Sequence, residues 1–273
     1  MFLDRIAHEW LKIPYTLNYE DNQVKKPRAT LVFIHGIGNS IDSWREVIAK
    51  LPSDVRIIAV DLLGFGDSPK PDWATYSTRV QAQSVMATLV KCSIKGKVIL
   101  VGHSLGSMVS IEIAKDYPWL VKSMILCSPP LYLADDTKPR LLPRSDKILK
   151  SIYNSVHNYP DEFVKLKGFA VKYGLANPDF DIAPDSVDAY MATLKAAIIN
   201  QTSYYDAVKL AIPTHIIQGT LDPFVVARNL KQLTKDNHYI KLTTIVAAHE
   251  VRGSKFVNTT VKAINSALPK PRK

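Results

Sequence analysis

The sequence predicts an α/β fold, a mainly parallel sheet with helices on both faces, interrupted by one helical insertion. Three observations carry that expectation. Short runs rich in Val, Ile and Leu end abruptly at Gly, Pro, Asp or Ser, as strands buried on both faces do. Helical patterns fill the gaps between those runs, and such alternation argues for parallel strands joined by crossover helices. The alternation stops after "CSPP" and resumes at Pro213, with only helical patterns between.

In chain order, "YTLNYE" (15–20) is a weak strand signal and reads as an early antiparallel edge. "ATLVFIHG" (29–36) is the first strong strand. "IDSWREVIAKL" (41–51) sets Ile41, Trp44, Val47, Ile48 and Leu51 at helical spacing. "VRIIAVDLLG" (55–64) is a strand, and "STRVQAQSVMATLVKC" (77–92) a helix with Val80, Val85 and Leu89 inward. "KVILVGHS" (97–104) is a strand and 105–116 a helix; "VKSMILCSP" (121–129) is a further strand. The insertion holds "RSDKILKSIYNSV" and "SVDAYMATLKAAIINQ", both helical in pattern, punctuated by prolines. "THIIQGTLD" (214–222), a helix over 225–234, "HYIKLTTIVAAHE" (238–250) and a helix over 254–267 complete the chain. The expected division is a core of 1–130 and 212–273 with a cap of 131–211.

Composition bounds the function. At 273 residues and 47% hydrophobic, the chain can bury one large core with an insertion. No run of about 18 apolar residues occurs, so no membrane span is expected. Asp4, Arg5, His8 and Glu9 break up any apolar leader core, and Cys92 and Cys127 show neither a disulfide framework nor metal spacing. Both features predict a cytoplasmic protein. The net charge of +10 is spread along the chain, and only the tail "LPKPRK" is clustered. That pattern predicts a solvated lysine-rich surface and no nucleic-acid partner.

"GHSLG" (102–106) is a G-x-S-x-G sequence between a buried strand and a helix. In that setting the motif means a nucleophile elbow, with the hydroxyl of Ser104 held out of the sheet. The competing reading makes Ser104 an ordinary helix N-cap. The choice depends on partners at other strand ends. An alcohol is a weak nucleophile near neutral pH and needs a base. Of seven histidines, His249 follows the last strand. His8, His157 and His238 lie in polar or peripheral stretches, and His215 opens a strand at the wrong end. His35 and His103 belong to tight turns, where local hydrogen bonds are expected. A carboxylate must orient the base. Asp222, after the penultimate strand in "GTLDPF", fits that role and also fits a helix N-cap. Two backbone donors would hold the oxyanion of acyl transfer, each worth about 3–4 kcal/mol. Loop position assigns them to the N–H groups of Ile37 and Leu105.

The ordered pieces "HGIGNSIDSW", "DLLGFGDSPKP", "GHSLGS", "GTLDPF" and "AHE" resemble the α/β-hydrolase superfamily. The resemblance covers 29–129 and 213–267 and implies an eight-stranded, mostly parallel sheet with a helical lid after the sixth strand. Serine at the elbow, rather than the aspartate of the dehalogenase and epoxide hydrolase branches, implies acyl hydrolysis. "SLGS" departs from the pattern, because many relatives carry a second glycine where Ser107 stands. The expected function is therefore a serine hydrolase of small carboxylic esters, with Ser104, His249 and Asp222 as its triad. No metal or organic cofactor is implied. Leu131 and Tyr132, after the sixth strand, are expected to line an acyl pocket. Phe163, Phe169, Tyr173, Tyr190, Tyr204 and Tyr205 are further candidates, although such aromatics more often pack inside a lid. The same triad also serves carbon–carbon bond hydrolysis or acyl transfer. A ligand-binding or signalling protein with a vestigial triad is the alternative from another class.

Overall fold

The computed structural model describes residues 2–133 and 187–270. Seven strands form one sheet there: β1 (Tyr19–Asp21), β2 (Thr30–Ile34), β3 (Arg56–Val60), β4 (Val98–His103), β5 (Val121–Cys127), β6 (Thr214–Gly219) and β7 (Ile240–Ile245). Their spatial order is β1-β3-β2-β4-β5-β6-β7. Only β1 runs antiparallel, against β3. The sheet thus holds seven strands among the described residues where eight were expected. The N-terminal edge strand is short. Just before β1, the Leu17 N–H donates to Thr88 Oγ1 (2.9 Å) and the Asn18 N–H to Ser68 Oγ (2.8 Å). Side-chain hydroxyls hold backbone donors that a longer strand would give to a ladder.

The α-helices among the described residues are α1 (Phe2–Asp4, continuing as a π-helical turn to Trp10), α2 (Arg45–Ile48), α3 (Thr78–Lys91), α4 (Leu105–Asp116), α5 (Val187–Thr193), α6 (Ser203–Lys209), α7 (Ala227–Asp236) and α8 (Gly253–Ala267). Period-two alternation sorts the strand side chains to the two faces. Along β4, Val98 and Leu100 join Val85, Leu89, Met108 and Val109 of α3 and α4. Ile99 and Val101 face the other way, toward Trp44, Val47, Phe256 and Ile264. Both faces are buried, which explains the continuous apolar runs of the central strands. Ser77 caps α3 by accepting from the Val80 N–H.

The segment bearing α5 and α6, between β5 and β6, packs on this core. Tyr190, Leu194, Ala197, Ile198 and Tyr204 are buried in the same cluster as α4. Asn237 Nδ2 donates to the carbonyls of Ala207 (2.9 Å) and Leu210 (2.8 Å), fastening α6 to the end of α7. Residues 134–186, with the expected helix "RSDKILKSIYNSV" and with Phe163, Phe169 and Tyr173, lie outside the described residues.

Register decides where the loops emerge. His103 pairs with Cys127, Cys127 with Ile217, and Gly219 with Ile245. Ile34 pairs with Gly102. The loops bearing Ile37, Ser104, Ser128, Asp222 and His249 therefore all leave one edge of the sheet, the carboxyl ends where open α/β folds bind ligands.

Candidate active site

Ser104 has φ +49° and ψ −114°, a backbone conformation that a side-chain-bearing residue rarely adopts. The turn is possible because its neighbours are bare. A Cβ on Gly106 would overlap the Ile34 carbonyl, and one on Gly102 would overlap the Gly106 carbonyl. Ser107 fits where the family pattern often has glycine, because its hydroxyl donates to the Gly102 carbonyl at 2.9 Å. The Ser104 side chain makes no capping bond to α4. The N-cap reading of this serine therefore fails, and its hydroxyl is left at the end of β4.

The loop after β2 lies against this elbow: a Cβ on Gly36 would stand 3.3 Å from Ser104 Cβ. Neither the Ile37 N–H nor the Leu105 N–H has an acceptor among the described residues. Leu105 opens α4, so its N–H is an orphan donor at the positive end of the helix dipole. Asp61 anchors the loop's far end: its Oδ1 accepts from the Ile41 N–H at 2.8 Å and its Oδ2 from the Asp67 N–H at 3.0 Å. His35 donates from Nδ1 to the Gly36 carbonyl and accepts the Leu62 N–H at Nε2, which fixes it as a neutral tautomer.

His249 Nδ1 bonds Asp222 Oδ2 at 2.8 Å, and the Asp222 side chain is wholly buried. The other Asp222 oxygen accepts from the N–H groups of Phe224 (2.8 Å) and Val225 (3.2 Å). One oxygen thus ties the turn that follows, while the N-cap of α7 is Val226, and the other oxygen bonds the imidazole. Burial raises the Asp222 pKa, but His249, the Phe224 N–H and Ser128 outweigh it and hold the carboxylate below its usual range. Burial disfavours the His249 imidazolium, but Asp222 overrides it and the pKa ends above the ordinary histidine value. Ser104 and His249 share no hydrogen bond in this structure.

Three groups supporting the imidazole escaped sequence reasoning. Ser128, at φ +49° after β5, donates to the His249 carbonyl at 2.8 Å. His103 Nε2 donates to the same carbonyl at 3.1 Å, and burial beside His249 drives its pKa down to about 3, so it stays neutral. The Phe224 ring stands edge-on to His249, with centroids 4.9 Å apart. Bonds to a backbone carbonyl leave no residue pattern, so only the adjacency of Phe224 to Asp222 could have flagged any of the three.

Leu131 is fully buried, and its carbonyl accepts from Asn229 Nδ2 at 3.0 Å. Tyr132 donates to the Phe224 carbonyl at 2.8 Å, one residue link from the imidazole. Tyr204 is buried and bonds Asp236, so it belongs to the packing of α6 on α7, whereas Tyr205, edge-on to it, is exposed. Tyr190 is buried near Glu250.

Glu250 is a second carboxyl group at the site. His103, His249 and Glu250 each offer an atom within 4.8 Å of the others. Asp222 holds one of these imidazoles through Nδ1, and the His249 carbonyl holds the other through Nε2. Asn39 Nδ2 donates to Glu250 Oε2 at 3.4 Å. Burial pushes the Glu250 carboxyl above its usual range, against the pull of His249, Asn39 and Arg252, while Asp222 adds to the rise. Ionised Glu250 in turn favours the His249 imidazolium. Glu250→Gln removes that charge, so the His249 pKa falls. The acid limb of kcat/KM is expected to move to lower pH. A rate profile from about pH 5 to 9 measures it, and an unmoved limb would show that Glu250 is uncharged while His249 titrates.

No helix among the described residues is long and apolar enough to cross a membrane. The alpha/beta hydrolase fold family model matches residues 29–251. The probable lysophospholipase BODYGUARD 4 of Arabidopsis thaliana is 32% identical over 111 residues, 40% of this chain and 27% of that protein. An uncharacterized protein of Mycobacterium tuberculosis is 42% identical over 98 residues, 36% of this chain and 28% of that protein. The chain thus covers about a quarter of the length of these curated relatives. Among solved structures, an esterase from Exiguobacterium antarcticum superposes with TM-score 0.75 at 16% identity, over 92% of this chain and 95% of that one. E-2-(acetamidomethylene)succinate hydrolase superposes with TM-score 0.69 at 23% identity, over 92% and 94%. The elbow at Ser104, the order of the strands and a family match across most of the chain lead to one assignment: this chain belongs to the alpha/beta hydrolase fold family.

Proposed function

We propose that this protein is a serine hydrolase that cleaves small carboxylic esters through an acyl-enzyme. The observation that carries the reading is the pairing of a strained, uncapped Ser104 with a His249–Asp222 bond of 2.8 Å on loops from the same sheet edge. In this reading Ser104 Oγ attacks the ester carbonyl as His249 Nε2 takes its proton. The Ile37 and Leu105 N–H groups receive the oxyanion, and Asp222 stabilises the imidazolium. His249 then protonates the departing alcohol. Water, deprotonated by the same imidazole, releases the acid and restores Ser104. In this reading the Ser104–His249 hydrogen bond forms when substrate enters, since catalytic bonds are often completed only in the substrate complex.

The reading includes the division into a core of 1–130 and 212–273 and a cap of 131–211, with Leu131 and Tyr132 at the acyl pocket. It also includes a cytoplasmic setting, supported by two buried free thiols, of which Cys127 is pushed up to about 12 and is inert. The esterase and lysophospholipase names of the similar proteins favour an ester bond over a carbon–carbon bond.

The test is steady-state turnover of p-nitrophenyl esters of graded acyl length, with active-site titration and product analysis in added alcohol. Sustained release of free acid, fastest at short chains, is the expected result. A stoichiometric burst with no turnover would favour a receptor, and ester formed from the added alcohol would make the protein an acyltransferase.

A further inference from the structure

The lysines that are scattered along the chain do not stay scattered in the fold. At the amino ends of β2 and β4 lies a cavity of about 580 Å³ whose wall includes Lys26, Arg28, Arg56, Ser93, Lys95 and Lys97. No acidic side chain among the described residues lines it. From there to Ser104 the chain runs the length of β4, about 17 Å at the usual rise. The cavity therefore lies at the opposite edge of the sheet from the candidate active site.

The five cations divide into two kinds. Arg28 pairs with Asp54 at 3.0 Å, and Arg56 pairs with Asp21 at 2.6 Å while also donating to the Cys92 carbonyl at 2.6 Å. These guanidinium groups are neutralised and held, and they form a fixed wall. Lys26, Lys95 and Lys97 are exposed and have no carboxylate partner among the described residues. The loops that carry them are shaped for this approach. Lys26 and Ser93 both take left-handed backbone, at φ +52° and +49°. Asp21 Oδ1 accepts the Gln23 N–H at 2.9 Å, and the Ser93 N–H bonds the Val90 carbonyl at 2.9 Å, so both turns are tied.

Three unpaired ammonium groups around one concavity repel one another and raise the local potential. A ligand carrying several negative charges relieves that repulsion, and a singly charged one relieves it only in part. The paired arginines have no free fork for a planar carboxylate, whereas lysines act as point charges suited to the compact, many-oxygen shape of phosphate. The cavity also has the volume of a small-ligand site. We infer that this cavity binds a multiply charged phosphate group, through Lys26, Lys95 and Lys97, at a site separate from the candidate ester-cleaving centre.

The experiment is calorimetric titration of the full chain with inorganic pyrophosphate and tripolyphosphate at low salt. It compares the wild type, a cavity variant (Lys26→Gln, Lys95→Gln, Lys97→Gln) and a charge-matched control (Lys231→Gln, Lys255→Gln, Lys262→Gln). The expected result is saturable binding by the wild type and the control, and at least a tenfold weaker Kd in the cavity variant, with ester turnover unchanged in all three. Lys95→Gln and Lys97→Gln made singly keep the test valid should the triple variant fail to fold. Cosedimentation with vesicles containing phosphatidic acid, whose phosphomonoester headgroup can carry two charges, against phosphatidylcholine vesicles, separates the sources. Vesicle binding that pyrophosphate displaces assigns the site to lipid headgroups, and pyrophosphate binding without vesicle binding assigns it to a soluble ligand. No saturable binding by the wild type, or equal weakening in the cavity and control variants, overturns the inference.

Discussion

Ser104→Ala is expected to lower ester turnover by about a million-fold while leaving the melting temperature within about a degree of the wild type. Such a combination is unusual for a serine at the start of a helix. A serine that caps a helix costs about 1 kcal/mol when changed to alanine, which would lower the melting temperature of a chain this size by about 2–4 °C. Ser77 makes such a capping bond, and Ser104 does not. Alanine bears the same Cβ as serine, so the strain at φ +49° is the same in both. The variant loses only the hydroxyl. With no nucleophile, His249 and Asp222 have nothing to activate, and the residual rate comes from binding and the oxyanion donors alone. Paired thermal melts and active-site titration check both halves. Loss of stability with retained turnover would return Ser104 to the role of a cap.

The parts of this fold that were legible in the sequence are those where one force dominates. Leu31, Val32, Phe33 and Ile34 are wholly buried, and so are Ile99, Leu100 and Val101. Such strands have no choice but to read as apolar runs. The elbow was legible because two backbones meet at Gly106 and Ile34 with no room for a Cβ, which leaves glycine as the only residue that fits. The edge before β1 was harder, because Thr88 and Ser68, far along the chain, take up its N–H groups. The surroundings of the imidazole were not legible for a related reason. His103 and Ser128 both reach the His249 carbonyl, and an acceptor that every residue possesses marks no position in a sequence. Convergence of charge was also invisible, because Lys26 and Lys97 meet only after the sheet pairs β2 with β4.

Asp222→Asn is the second large effect, expected to cut kcat by about 10⁴-fold at neutral pH, by analogy with the same change in other serine hydrolases. The geometry gives the reason. In the wild type, Asp222 Oδ2 accepts from His249 Nδ1, which in the proposed mechanism leaves Nε2 bare to take the Ser104 proton. The other oxygen accepts from the Phe224 and Val225 N–H groups. Asparagine satisfies those two donors only with its carbonyl oxygen, which turns its NH₂ group toward His249. Nδ1 must then accept, the ring proton moves to Nε2, and the base points a hydrogen at the hydroxyl it should deprotonate. The substitution also deletes the charge that lifts the His249 pKa above its ordinary value, so the acid limb of any residual activity moves to lower pH. Loss of rate with that downward shift, in a protein that melts normally, is the expected signature. Asp222→Ala separates the two causes: it removes the charge without imposing the wrong tautomer, so its residual rate should exceed that of the asparagine variant. A rate in Asp222→Asn within tenfold of the wild type would remove the carboxylate from the mechanism and leave it only its hold on the turn that follows.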